Sequence, residues 1–340
     1  MPEPWGIPVV EILVSLFPVL AFLAALRFLD SYKLVGVRSL LVTIGVGCGV
    51  AALASVVNEQ VMDVLRLERH EYALYVAPVT EELLKAGFMI YLISSKRVGF
   101  MVDGAIQGFA VGAGFAVTEN IFYLFMVPST NLFLWLIRGL GTAMMHGAST
   151  AIVGIASKSL ADRYSSSNPL VYLPGLLLAM VIHATFNHFF MPALIQTVVI
   201  LVGLPLVMLV VFERSEKATR HWLGVGFDTD RELLEMLTTG NLAETRIGVY
   251  LHSLQDRFKG EILADMLCLL RLYLELSISA KGLLLMREAG FEVKPDPEVR
   301  EQFNELRYLE KSIGRTGKLA LLPFLHTSTR DLWQLNLLGE

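Results

Sequence analysis

The chain has 340 residues, 54% of them hydrophobic, with a mean hydropathy of +0.57, only 18% charged residues and a net charge of −4. Soluble domains are roughly 25% charged; here residues 1–213 hold 24 charges (11 basic, 13 acidic) and residues 214–340 hold 36. That split excludes a single soluble globule, a disordered chain and a β-barrel, and the mild negative charge leaves no nucleic-acid footprint. It predicts an all-α chain, with a polytopic membrane bundle over 1–213 and a soluble helical domain over 214–340.

Runs of about 20 apolar residues, the length that spans a bilayer, occur at about 7–29, 36–57, 73–94, 102–126, 132–157, 170–190 and 194–212. Seven spans are expected. The first is longer than a signal-peptide core, and its positive charges follow it, so it reads as a retained span. Alternate connectors are basic: Arg27, Lys33 and Arg38; Lys96 and Arg97; Lys158 and Arg163; Arg214, Lys217 and Arg220. The opposite connectors hold only Arg66 and Arg69 among acidic residues. Cytoplasmic loops are enriched in Lys and Arg, so the N-terminus is expected outside and the C-terminus in the cytoplasm, in a bacterial or archaeal plasma membrane. Cys48 and Cys268 then lie in different compartments, and no Cys/His zinc pattern occurs.

Charges in the middle of a bilayer cost about 2.5–3.5 kcal/mol or more, yet several fall inside these spans. Glu81, Glu82 and Lys85 are in the third, Glu119 in the fourth, Arg138 and His146 in the fifth and His183 in the sixth. At about 1.5 Å per residue, Glu81 and Glu82 lie roughly 13 Å from the outer ends, Glu119 and His183 roughly 10 Å, and His146 roughly 18–20 Å. Carboxylates and imidazoles from four helices at similar depth are what one shared site needs. Positions i and i+4 share a helix face, which pairs Glu81 with Lys85, Phe115 with Glu119, His146 with Thr150 and His183 with Asn187. Pro78 fits a helix start or kink. Gly108 and Gly112 form a GxxxG pair that brings helix backbones close. Arg138 is expected to snorkel towards the outer interface, and His188 to be interfacial.

The strings EELLK (81–85), FAVTEN (115–120), HGAST (146–150) and HATFN (183–187) follow one another on four successive spans. Over about residues 70–213 the chain resembles the PrsW family of intramembrane proteases. That family is related to the CAAX-processing and bacteriocin-processing membrane proteases and, more distantly, to the gamma-secretase subunit APH-1. The resemblance implies a catalytic set of Glu81, Glu82, Glu119, His146, His183 and Asn187. Glu119 stands where CAAX-type relatives have histidine, which favours the PrsW branch. Asn187 takes the position that helps bind the oxyanion in CAAX-type enzymes. The implied substrate is a membrane-anchored protein such as an anti-sigma factor, cut in or near the outer half of the bilayer.

Two arrangements supply the chemistry of peptide hydrolysis. In a metal-free one, Glu81 is general base, helped by His146 or Glu119, with His183 and Asn187 donating to the oxyanion. In the other, Glu81, Glu119, His146 and His183 supply ligands for a divalent ion such as Zn2+, and a spare glutamate is the base. The metal-free version is preferred, because related enzymes look like glutamate proteases and no HExxH is present. A cluster of three glutamates facing Lys85 and Arg138 keeps the metal open. Two other readings stand beside the protease. One is an ion- or proton-coupled transporter, against which the missing internal repeat counts; the other is a non-catalytic, APH-1-like scaffold.

The tail reads as helices. TDRELLEMLTTG has a Thr or Asp start and a stop at Gly240. Helical periodicity covers 242–258 and 260–289, a break falls at Gly290, Pro295 and Pro297, and a further helix covers about 297–313. Residues 317–340, with Trp333, are apolar enough to pack on a surface. This part is expected to serve regulation, substrate docking or homodimer formation.

Overall fold

The structure, a computed structural model, describes residues 9–126, 131–238, 242–291, 293, 298–325, 333, 334 and 338. Among these residues every regular element is helical and no strand occurs. The chain divides into two compact units, Met1–Ser215 and Glu216–Glu340.

The first unit begins with α1 (Val9–Leu29), α2 (Val37–Leu65), the short α3 (Arg69–Tyr75), α4 (Ala77–Ser94) and α5 (Met101–Met126). After it come α6 (Leu132–Ile137), a π-helical segment (Arg138–Thr142), α7 (Ala143–Tyr164), a 3-10 turn (Pro169–Tyr172) and α8 (Leu173–Asn187). The long α9 (Ala193–Thr238) starts here and continues past Ser215. Among the described residues five helices are long and apolar enough to cross a membrane: Val9–Leu29, Val37–Leu65, Met101–Met126, Pro169–Asn187 and Ala193–Thr238. Helices also occupy the other two stretches expected to span. These are α4, which carries Glu81, Glu82 and Lys85, and the α6–α7 run, which the π segment interrupts.

α5 forms the centre of this unit, with every residue from Val102 to Ala116 buried. Its glycines explain why. A Cβ added to Gly104, Gly108 or Gly112 would lie 2.8, 2.4 or 2.1 Å from the carbonyl oxygen of Gly154, Thr150 or His146. Three successive turns of α5 therefore rest directly on the backbone of α7. On its other side, a Cβ on Gly114 would come 2.1 Å from the Ile44 oxygen of α2. Lipid chains are as apolar as leucine, so membrane helices associate through such close contact and through polar links rather than through apolar burial. One polar link runs from Thr43 Oγ1 to Gln107 Oε1 (2.6 Å) and from Gln107 Nε2 to Ser39 Oγ (2.8 Å). Asp103 ends the preceding loop by accepting the amides of Gly99 and Phe100.

Pro78 sits in the first turn of α4 and starts that helix rather than kinking it. α2 runs two turns beyond the apolar stretch that ends near 57, so Asn58, Glu59 and Asp63 are helical.

In the second unit, α10 (Arg246–Ser253) and α12 (Val299–Leu321) flank α11 (Gly260–Glu288) around a leucine-rich core. The helix start expected near Thr229 is absent, because α9 continues unbroken through Thr238. Asp230 lies inside α9, where its buried carboxylate pairs with Lys281 at 2.5 Å and accepts from Ser277. The stop expected at Gly240 lies outside the described residues, as do Pro295 and Pro297. Gly290 has φ +86°, a left-handed conformation that glycine adopts without steric cost, and it closes α11. Gly314 (φ 64°) breaks α12 one residue after the predicted helix end at 313. Trp333 is buried, while most of 326–340 lies outside the described residues.

Candidate active site

α4 brings the first two glutamates inward. Both side chains, with Lys85, are buried among α2, α5, α7 and α8. Lys85 pairs with Glu82 at i,i+3 (2.5 Å), not with Glu81 at i+4 as the spacing suggested. Glu82 is fully buried, and its Oε1 accepts from three donors: Lys85 Nζ, His183 Nδ1 at 2.8 Å and Ser149 Oγ at 3.1 Å. Its Oε2 is buried with no hydrogen-bond partner among the described residues.

The two histidines come from α7 and α8 and meet edge to face, ring centroids 4.8 Å apart. His146 is engaged at both nitrogens, His183 at Nδ1 only. His146 Nδ1 is 3.1 Å from Lys85 Nζ, and its Nε2 is 3.1 Å from Glu119 Oε2. An ammonium only donates, so Nδ1 accepts from Lys85 and a neutral His146 carries its proton on Nε2, directed at Glu119. The ring also packs on Phe115, one turn before Glu119. Thr150 donates to the carbonyl of His146 in its own helix.

His183 has the opposite tautomer. Its Nδ1 faces the ionised Glu82 and donates to it, so the lone pair of a neutral ring sits on Nε2. That nitrogen is 3.9 Å from Glu81 Oε2, too far for a hydrogen bond. Two acceptors face each other across this gap unless a proton or a cation lies between them.

Glu119 is the most exposed of the three carboxylates, its side chain 24% exposed against 11% for Glu81 and none for Glu82. Arg138, expected to snorkel towards the outer interface, makes its contacts at the site. Its side chain is 15% exposed and turns onto the site, 3.4 Å from Glu119 Oε2, donating to Asn120 Oδ1 (3.0 Å) and stacking over Tyr123 (3.9 Å). It opens the π-helical segment that precedes His146. π-Bulges are frequent at functional sites; here the wider turn offsets Arg138 from the register of α7. The bulge packs through Gly139 and Gly141, where an added Cβ would meet Val14 O at 2.3 Å and Thr197 Oγ1 at 2.5 Å.

Asn187, one turn after His183, donates its amide to the carbonyl of Ala73 at 2.9 Å. His188 lies beside Tyr75 and Phe190. Residues that sequence reasoning passed over complete the surroundings. Ser149 donates to Glu82, and Asn58 Nδ2 donates to Glu81 Oε1 at 3.0 Å. Ser149 lay inside the HGAST string without being singled out. Asn58 carried no signal, since it neither titrates nor stands at a periodic distance from Glu81.

The donor set suits a metal. Ligand atoms of Glu81, His146 and His183 lie within 4.8 Å of one another, all three residues buried. Catalytic zinc sites use three such His and carboxylate ligands, with bonds of about 2.0–2.2 Å. The spacing is wider than that shell, so binding would draw the three side chains inward. A ligating histidine ordinarily donates its second nitrogen to a carboxylate, as His183 does to Glu82. Three carboxylates against two cations, Lys85 and Arg138, also leave the site with a deficit of positive charge.

A family model described as PrsW family intramembrane metalloprotease matches residues 36–212, just over half of the chain. No curated protein and no solved structure matches it.

Proposed function

The chain belongs to the PrsW family of intramembrane metalloproteases, and from that premise we propose that it hydrolyses a peptide bond of a membrane-anchored protein in or near the outer half of the bilayer. The observation that carries this reading is the buried convergence of Glu81, His146 and His183, with the unbonded 3.9 Å gap between Glu81 and His183. We read α4 and the α6–α7 run as two further crossings. The total is then seven, with the N-terminus outside and residues 214–340 in the cytoplasm, available for regulation or dimer formation.

Glu81, His146 and His183 would hold a divalent cation such as zinc; with Lys85 at its Nδ1, His146 would ligate through Nε2, and only on giving up the proton it directs at Glu119. When bound, the ion supplies Lewis acidity towards the scissile carbonyl and lowers the pKa of water to about 7. The chain's own residues do the rest. Glu119 is the general base: it is the most exposed of the three carboxylates, and Arg138 beside it orients it. It takes a proton from the attacking water and returns it to the leaving amine. Glu82 cannot serve as base, because three donors and complete burial commit it to holding His183 and Lys85. Lys85 fixes His146 from the far side. Asn187 is kept as an oxyanion donor on the resemblance, and that role requires its bond to Ala73 to open. An anti-sigma factor remains the substrate that the resemblance suggests.

The test is cleavage of a panel of single-span membrane proteins by the purified chain in detergent. Glu81→Gln and His183→Ala are expected to abolish cleavage, and a chelator to stop it until zinc is restored. Cleavage lost in both variants but indifferent to chelator would favour Glu81 as a metal-free base. Cleavage that survives both substitutions would overturn the site.

A further inference from the structure

Glu81 does not approach the histidines unaided. Its Oε1 is held at 3.0 Å by Nδ2 of Asn58, from a part of α2 that lies beyond the apolar stretch. The other end of that amide is held as well: Asn58 Oδ1 accepts from Tyr72 Oη of α3 at 2.8 Å and from Thr80 Oγ1 of α4 at 2.7 Å. The carboxylate settles which way the amide points. A carboxylate accepts only, so nitrogen must face Glu81 and oxygen must face the hydroxyls. Burial pushes the Tyr72 hydroxyl above its ordinary range, opposed by the bond with Thr80 and reinforced by the Glu81 charge, so it is protonated at neutral pH and donates.

The consequence for Glu81 is geometric. With Oε1 tied to α2, its Oε2 is the oxygen presented to His183 Nε2. Without that tie a glutamate side chain has three torsions to lose, and the nearest cation, Lys85, is already bonded to Glu82. We propose that Asn58 is a positioning residue that presents Glu81 to the ion, and that Tyr72 and Thr80 act through it by locking its amide. This rests on the reading of Glu81, His146 and His183 as a metal centre. It gives α3 a defined part: Tyr72 connects this short helix to Glu81, and the Ala73 carbonyl connects it to Asn187 on the helix that carries His183.

The test is zinc affinity of the full-length protein, stripped of metal and titrated against a competing chelator, for wild type, Asn58→Ala, Tyr72→Phe, the double variant and His183→Ala. Outer partners of ligands are worth about ten- to a hundredfold in affinity. Asn58→Ala is expected to weaken zinc by that factor while its thermal midpoint without metal stays near wild type. Tyr72→Phe, removing one hydrogen bond, is expected to weaken it about fivefold. The double variant should bind no more weakly than Asn58→Ala alone, because Tyr72 acts through Asn58. Wild-type affinity in both Asn58→Ala and Tyr72→Phe, or additive losses, would overturn the proposal. Should Asn58→Ala fail to fold, Tyr72→Phe alone decides, with unchanged affinity counting against it. If wild type binds no zinc, the metal reading fails first. Cleavage then decides for Asn58: a fall in kcat at constant KM keeps it as the residue that orients Glu81, and an unchanged kcat removes it.

Discussion

Three glutamates share one site, yet their surroundings give them different work. Glu119 is the most exposed of the three and has Arg138 beside it; on the proposed role Glu119→Gln should leave metal binding intact and lower kcat by about 10²–10⁴-fold, the usual range for a general base. Metal content and turnover measured on the same sample check this; loss of the ion in Glu119→Gln would make it a ligand instead. Glu82 is the counter-charge of Lys85, with both side chains fully buried. Removing one partner of a buried pair leaves an uncompensated charge and costs about 3–5 kcal/mol. Glu82→Ala should therefore unfold at a clearly lower temperature. The exposed pair Arg220–Glu216 is of the kind worth about 1 kcal/mol or less, and Glu216→Ala should barely move the midpoint. The titratable residues of the site were legible in the sequence because a charge in an apolar run is conspicuous. Their partners were less so. Lys85 could face Glu81 or Glu82 from the same helix, and only the rotation of α4 against α7 and α8 selects Glu82. Asn58 and Tyr72 were illegible, being neutral residues whose meaning arises from a contact between α2, α3 and α4.

At the scale of elements, helix packing sets the distance between the groups. A Cβ on Gly112 would stand 2.1 Å from the carbonyl oxygen of His146, which only displacement of α5 or α7 relieves. Gly112→Ala should cost about 1–3 kcal/mol, as overpacking does, and should lower activity by moving His146 away from Glu119. Gly203→Ala is the control: nothing lies within 4 Å of its added Cβ, and its midpoint should match or slightly exceed wild type. Thermal midpoints in one detergent compare the two. The GxxxG spacing made this contact foreseeable, since small residues four apart on an apolar helix have little other use. The π segment was not foreseeable. Nothing in RGLGT marks an extra residue in the turn, and the sequence offered Arg138 both to the interface and to the glutamates without singling out Glu119. The long α9 also defeated the local signals, because a Thr-Asp start is only an option for a chain that is already helical on both sides.

For the whole molecule, the charge asymmetry between residues 1–213 and 214–340 announced two kinds of surface, and five helices have the length and composition to cross a membrane. On the topology proposed from the alternation of basic connectors, the second unit lies in the cytoplasm. Cys268 is free and exposed there, so in sealed, oriented vesicles of a Cys48→Ser variant an impermeant thiol reagent should label Cys268 from the cytoplasmic side only. Labelling from the other side would reverse the topology. The central claim is that Glu81, His146 and His183 form the metal centre of a peptidase. Zinc bound per chain, measured in purified full-length wild type and in His183→Ala alongside their cleavage rates, tests it most directly. About one ion per chain is expected in active wild type, with ion and cleavage lost together in His183→Ala. Wild type that cleaves while free of metal would contradict it.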